Sequence, residues 1–254
     1  MLGPLGARRH IGEGLGFSAA SAAAWTPADL GVDLWAWYAP DAYSPSTGTW
    51  TETVAARDLV QATAGVRPTA GTAENGHAMA SFDGAMTYLN GQALVDGTAR
   101  DRTIIAAYRL KTGTGTAEKL FYTKGADEWG VTGRWSSGTV ALTTAGYNVT
   151  ASSAAVCSEL VSTGMQWAAF VMESPVKIYV NGVQQTVVAP VAWTAKTIPT
   201  STTIGVRSNG ATPPATAGQY AAIELGDLFF VNRAMAPDEI TNDVASYMLA
   251  TWGI

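Results

Sequence analysis

Ten residues near the C-terminus, Ala222-Ile-Glu-Leu-Gly-Asp-Leu-Phe-Phe-Val231, are apolar on both faces of an extended chain. Successive residues of a strand face opposite sides, so this run predicts a strand covered on both. A helix is expected to follow from Pro237 to Thr251. Pro237 suits a first helical position, and Asp238 and Glu239 suit the positive end of its dipole. Ile240, Val244, Tyr247, Met248 and Thr251 fall at helical spacing and predict the face that packs on the sheet.

The rest of the chain reads as short strands. Lys177-Ile-Tyr-Val-Asn-Gly-Val-Gln-Gln185 is a hairpin, with Asn181-Gly182 suited to a two-residue type I′ turn. Thr202-Thr-Ile-Gly-Val206 is a further strand. Val32 to Tyr38 is the first one, with Val32, Leu34, Ala36 and Tyr38 on one face and Asp33, Trp35 and Trp37 on the other. Thr26 and Pro27 form a cap and first helical position just before it. Ala80–Gly84, Thr87–Gly91 and Arg102–Lys111 are strands, and Thr47–Ala80 is rich in loops. Leu120–Gly125, Glu128–Trp135 and Thr139–Thr144 form a meander with turns at Gly125 and Gly138. Turn signals every 8–12 residues predict a β-sandwich.

Composition narrows the function. Charged residues are 14% of the 254, well below the usual ~25%. The net charge of −5 and the lack of a basic stripe argue against a nucleic-acid partner. No stretch reaches the ~18 apolar residues of a membrane span. Cys157 is the one cysteine, which leaves no disulfide framework and no cysteine-based metal site. Residues 1–24 are rich in Gly, Ala and Ser and have no sustained period, so they read as an arm on a domain spanning 25–254. Glu13 interrupts the apolar stretch that a signal peptide would need, and none is expected.

The order of several motifs resembles the concanavalin A-like lectin/glucanase superfamily, in its laminin-G-like jelly-roll branch. They are Trp37-Tyr-Ala-Pro-Asp41, Phe82-Asp-Gly…Tyr88-Leu89, Thr103–Arg109, the Tyr179-Val-Asn-Gly182 hairpin, and Gly226-Asp-Leu-Phe-Phe-Val-Asn-Arg-Ala-Met235 followed by Asp238-Glu-Ile240. The resemblance runs from about Trp35 to Ile254. It implies an all-β, two-sheet antiparallel jelly-roll sandwich with one C-terminal helix, here preceded by an extended N-terminal arm. The glucanases of that superfamily carry a Glu-x-Asp-x-x-Glu strand, which this sequence lacks. Glu224 and Asp227 are three apart and, on a regular strand, face opposite sides. No catalytic residue is expected, and the chain reads as a non-enzyme. His77 reads as a solvated loop residue. No cofactor is expected, and a structural calcium ion stays open as the alternative. Calcium sites occur in the superfamily, and Asp83, Asp96 and Asp227 are available but sparse for the six to eight oxygens calcium prefers. Asp227 matches an acidic position of the branch and is expected to pair with a loop donor or an arginine.

Sugar binding needs aromatic faces flanked by polar groups. The richest cluster of that kind is Tyr122, Asp127, Glu128, Trp129, Arg134 and Trp135, on adjacent strands and their turn. Trp129 and Trp135 are six apart and share a face if the strand is regular, and that face could equally pack against the other sheet. Tyr43 and Trp50 are second candidates, and Arg207–Gly210 a third. The Gly14-Leu-Gly-Phe17…Trp25-Thr-Pro-Ala-Asp-Leu30 opening resembles virion proteins of tailed phages and phage-like particles. It implies a head or tail spike or fibre component in the virion, assembled in the bacterial cytoplasm as a homo-oligomer. Residues 1–24 would dock other virion proteins, and the sandwich would bind host-surface glycan. The alternatives are a cellular carbohydrate-binding module, a glycoside-active enzyme, or a decoration protein without a ligand.

Overall fold

The computed structural model describes residues 24–92, 101–111, 117–124, 128–135, 143–147, 154–156, 164–187, 201–206 and 220–254, with the backbone alone for the strands between 117 and 156. In chain order the strands are β1 (Leu34–Tyr38), β2 (Tyr43–Ser44), β3 (Thr49–Trp50), β4 (Leu59–Val60), β5 (Thr69–Ala70), β6 (Ala80–Ser81), β7 (Leu89–Gln92) and β8 (Arg102–Leu110). They continue as β9 (Ala117–Lys124), β10 (Glu128–Trp135), β11 (Thr143–Tyr147), β12 (Ala154–Val156), β13 (Met165–Met172), β14 (Lys177–Val180), β15 (Val183–Gln184), β16 (Ser201–Ile204) and β17 (Ile223–Val231).

These strands form two antiparallel sheets. The first has the order β15-β14-β13-β8-β17-β6-β5, with β1 also paired to β17. β1 meets β17 at Leu228–Val231 and β6 meets it at Glu224–Leu225, so the two share one edge of the long strand. The second sheet has the order β12-β11-β10-β9-β16-β7-β4-β3-β2. The expected two-sheet jelly-roll sandwich with a C-terminal helix is therefore the architecture.

Two cores result, one on each face of the first sheet. Between the sheets lie Tyr38, Trp50, Phe82, Ile104, Tyr108, Phe170, Leu228 and Phe230. On the far side Ile105, Trp167, Phe229 and Val231 pack beneath Ile240, Val244, Met248 and Trp252 of the closing helix. The alternation within β8 and β17 therefore feeds both cores, as their double-sided apolarity required. Burying one such side chain is worth roughly 1.5–3 kcal/mol, so the helix-covered core carries a share of stability comparable in kind to the core between the sheets.

The closing helix begins at Pro237, passes through a π-helical turn at Glu239–Val244, and continues as α1 (Ala245–Trp252). It lacks a cap hydroxyl at Ala236. Instead the Glu239 carboxylate accepts the Ala236 N–H at 2.8 Å, the acidic half of a capping box. Arg233 clamps the same carboxylate with two N–H groups and reaches Asp33 at 2.9 Å, tying the helix start to the entry of β1. Thr26 and Pro27 open a 3-10 helix, Pro27–Asp33, whose first turn closes through the Thr26 N–H on Asp29 at 2.7 Å.

Local alternation fails at two places. Val32 belongs to the 3-10 helix rather than to β1, and is 98% exposed. An irregularity between Leu34 and Ala36 then puts Leu34 in the helix-covered core, while Ala36 and Tyr38 enter the core between the sheets. The second failure is in β17. Its pairing with β8 slips between Leu225 and Asp227, so Gly226 is an extra residue. Leu225 and Leu228 both enter the inner core, and Glu224 and Asp227 share the outer face instead of facing opposite sides. Gly226 is required there. A Cβ on it would lie 2.3 Å from Cη2 of Trp252, whose ring rests against the glycine backbone.

Candidate functional site

The bulge delivers Asp227 into the helix-covered core with no exposed surface. Its carboxyl accepts the Trp37 indole N–H at 3.0 Å and the Tyr247 hydroxyl at 2.6 Å. The Trp252 indole also bears on it without closing a hydrogen bond of normal geometry. Burial pushes this carboxyl up to about 7 against the pull of those donors. Its partners are thus two aromatic side chains, not the loop donor or arginine expected. Burial and the adjacent carboxylate raise the Tyr247 hydroxyl, which stays a donor. Glu224 sits elsewhere on the same outer face, bonded by the Thr72 N–H at 3.1 Å and paired with Arg109 at 3.2 Å. Arg109 also reaches Glu74 at 3.2 Å. His77 is not simply solvated. Its Nδ1 meets Asp41 at 2.7 Å and its ring stacks obliquely on Trp252. Asp83 closes its own turn, accepting N–H groups from Ala85, Met86 and Thr87 on Oδ1, which holds it down at about 2.

The outer face of the second sheet is different. Leu59, Leu89 and Ile204 fill the core between the sheets, so their neighbours Val60, Asn90 and Thr203 form a cross-strand row on the far side. Beside this row a cleft of about 510 Å³ is lined by Val60, Gln61, Ala62, Thr63, Val66, Tyr88 and Asn90. That volume is within the ~300–1,000 Å³ of ligand pockets. Its wall is fixed by Arg67, whose three donors go to the carbonyls of Gln61, Ser46 and Ala62 at 2.6–2.8 Å. The Tyr88 N–H reaches the Val66 carbonyl at 3.3 Å, and its ring leans on Tyr220. Gln61 Oε1 accepts the Thr63 N–H at 3.1 Å, while its Nε2 has no hydrogen-bond partner among the described residues. The described lining carries amides, a hydroxyl, a phenol and apolar walls, but no carboxylate, imidazole or amine. Such a surface can hydrogen-bond an uncharged, hydroxyl-rich ligand. It offers no group suited to proton transfer near neutral pH.

Of the residues singled out for sugar binding, Asp127 lies outside the described residues, as do Asp96, Cys157 and Arg207–Gly210. Tyr122, Glu128, Trp129, Arg134 and Trp135 lie in β9 and β10, where the backbone alone is described. Tyr122 stands opposite Thr203, so it extends the Val60–Asn90–Thr203 row. Trp129 stands opposite Thr123, which pairs with Thr202, in the neighbouring row. β10 is not regular against β9. The register shifts between Val131 and Thr132 and again between Thr132 and Arg134, so a separation of six does not fix Trp129 and Trp135 to one face. The second candidates are structural: Trp50 is 1% exposed and donates to the Ala39 carbonyl, and Tyr43 donates to that of Pro68. Sequence reasoning missed Gln61, Thr63, Tyr88 and Asn90. The alternation Tyr88, Asn90 against Leu89, Gly91 is the one signal that could have flagged part of this set.

No protein-family model and no curated protein sequence matches the chain. Solved structures do match by fold. Trypanosoma rangeli sialidase in complex with sialic acid superposes with a TM-score of 0.61 at 12% identity over 85% of this chain. The chain spans 33% of that sialidase's length. Domain 4 of AbnA, a GH43 extracellular arabinanase from Geobacillus stearothermophilus in complex with arabinotriose, gives 0.56 at 15% identity, covering 83% of this chain and 97% of that domain. The native heptameric SAP-like pentraxin from Limulus polyphemus gives 0.50 at 15% identity, covering 63% and 78%. These likenesses show the class of fold, a two-sheet antiparallel jelly-roll sandwich.

Proposed function

We propose that this chain is a carbohydrate-binding sandwich that holds an uncharged saccharide in the cleft beside Asn90, without cleaving it. The observation that carries the reading is the cleft itself, which is ligand-sized, lined by amides and a hydroxyl, and free of charged groups among its described residues. Two of the structural neighbours are complexes with saccharides, sialic acid in one and arabinotriose in the other. An uncharged oligosaccharide suits this lining better than an acidic sugar, because the guanidinium of Arg67, which follows the lining residue Val66, is already committed to three carbonyls.

The wider setting is a surface component of a phage or phage-like particle, present in several copies, with the arm of residues 1–24 docking other virion proteins and the cleft facing host glycan. The geometry favours this arrangement in one respect. Trp25, next to the arm, packs on Tyr247 at 6.1 Å in the helix-covered core, on the opposite side of the sandwich from the cleft. Titration of the full chain with neutral and sialylated oligosaccharides, monitored by calorimetry, tests the binding reading. Saturable binding of a neutral saccharide, weakened by Asn90→Ala, is expected with no change in the saccharide afterwards. Preference for the sialylated set, or hydrolysis, would overturn it.

A further inference from the structure

The turn Glu74–His77 bridges the outer edge of the first sheet to the end of the closing helix. Asn75 and Gly76 occupy its two central positions at φ 47° and 86°, closed by paired bonds between Glu74 and His77 at 3.0 and 2.9 Å. The Asn75 amide donates to the carbonyls of Thr251 and Ala250 at 3.0 and 3.4 Å. These are carbonyls that a helix C-terminus leaves without an internal partner. The chain has two other described Asn-Gly pairs, and both are held more firmly. Asn181 is fastened to β13 through its own N–H and through Oδ1, which accepts the Trp167 N–H at 2.9 Å. Asn90 and Gly91 lie inside β7 with ladder partners on β16, and Leu59 fills the space beside Gly91. No atom of the described residues approaches within 4 Å of the position a Cβ on Gly76 would take.

We propose that Asn75-Gly76 is a self-modification site whose conversion loosens the end of the closing helix. The Gly76 backbone nitrogen attacks Cγ of Asn75. The new C–N bond closes a succinimide, the Cγ–Nδ2 bond breaks, and ammonia leaves with the proton from the Gly76 amide. Water then opens the ring at either carbonyl, leaving aspartate or isoaspartate at position 75. Attack needs the turn to open locally. Its backbone ladder is the single bridge of Glu74 with His77, and its other ties are side-chain contacts at a partly exposed edge, Asn75 on the helix end, His77 on Asp41 and Glu74 on Arg109. β7 and the β14–β15 hairpin are held by longer backbone ladders. The product replaces two donors with a carboxylate facing helix carbonyls, at the negative end of the helix dipole. Repulsion there acts on Ala250 and Thr251, the two residues before Trp252.

The test is to age the intact protein at mildly alkaline pH and map peptides over time. Asn75 is expected to convert several-fold faster than Asn90 and Asn181, and conversion of either at an equal or greater rate would overturn the assignment. Hydrogen exchange then compares Asn75→Asp with Asn75→Gly, which removes the same donors but adds no charge. Faster exchange across Ala245–Trp252 in the aspartate variant is expected. Equal exchange would overturn the link to the helix, whatever the outcome of any saccharide titration.

Discussion

On the outer face of the first sheet, Asp227, Phe229 and Val231 lie sealed beneath the closing helix, whereas on the outer face of the second, Val60 is 40% exposed and Asn90 borders an open cleft. Both faces carry polar side chains at ladder positions. Under the helix the polar group is stripped of water and must be satisfied internally, so it becomes part of the stability of the fold. Beside the cleft Asn90 keeps part of its surface exposed along a ligand-sized hollow, with Gln61 buried in the wall behind it. The presence or absence of a cover decides whether a polar residue is structural or available for recognition.

The largest expected effect comes from Asp227. Its carboxyl ionises at about 7 in the folded chain and near 3.8 when unfolded, so the folded state holds a proton across that window that the unfolded state has lost. This contribution is fully present below about pH 4 and disappears as pH rises through about 7, for a change of roughly 4 kcal/mol. Asp83 and Glu239, whose carboxyls are held down, act in the opposite sense and at lower pH. Denaturant unfolding between pH 4 and 8 is expected to show stability falling with pH. In Asp227→Asn that slope should vanish, and a slope unchanged by the substitution would mean that the helix-covered face is not where the proton is held.

Gly226→Ala is the next largest. The added methyl meets the Trp252 ring at 2.3 Å, and the ring cannot retreat without lifting the helix. Overpacking of this kind costs about 1–3 kcal/mol. Urea unfolding should report the loss, and pairing the change with Trp252→Leu should recover part of it. Without recovery, the clash is not with that ring and the close seating of the helix is wrong.

The cover was legible in the sequence because β17 is apolar on both sides and because Pro237, Asp238 and Glu239 mark a helix start. The bulge was not. Glu224-Leu-Gly-Asp-Leu228 reads acceptably as a plain strand, and the ring that requires glycine at the extra position is that of Trp252, brought to Gly226 by the fold. Trp252 itself escaped notice because Thr251 fits the helical period one residue earlier. The open face was half legible. Tyr88 and Asn90 alternate with Leu89 and Gly91, but the opposing wall from Gln61 to Val66 sits in a stretch that reads as loop. Its strand β4 is only Leu59–Val60, too short to register as a pattern. The aromatic-rich meander drew attention because tryptophan and tyrosine are the residue types sugars stack on. Aromatic content alone cannot say which face a strand with two register shifts presents.

The smallest effect on stability, and the sharpest for the comparison, is Asn90→Ala. Asn90 is half-buried while Tyr88 and Thr203 beside it are buried, so its truncation should change unfolding free energy by no more than about 0.5 kcal/mol. Its amide borders the cleft, and loss of one hydrogen bond to a saccharide should weaken binding by about 0.5–1.5 kcal/mol, a few-fold to roughly tenfold in Kd. Asp227→Asn should do the reverse, altering stability while leaving saccharide affinity unchanged, because the two sites lie on opposite outer faces of the sandwich. If Asn90→Ala instead destabilises the fold and spares binding, the second sheet's outer face is covered by part of the chain, and the ligand site must be sought elsewhere along the row that Tyr122 extends.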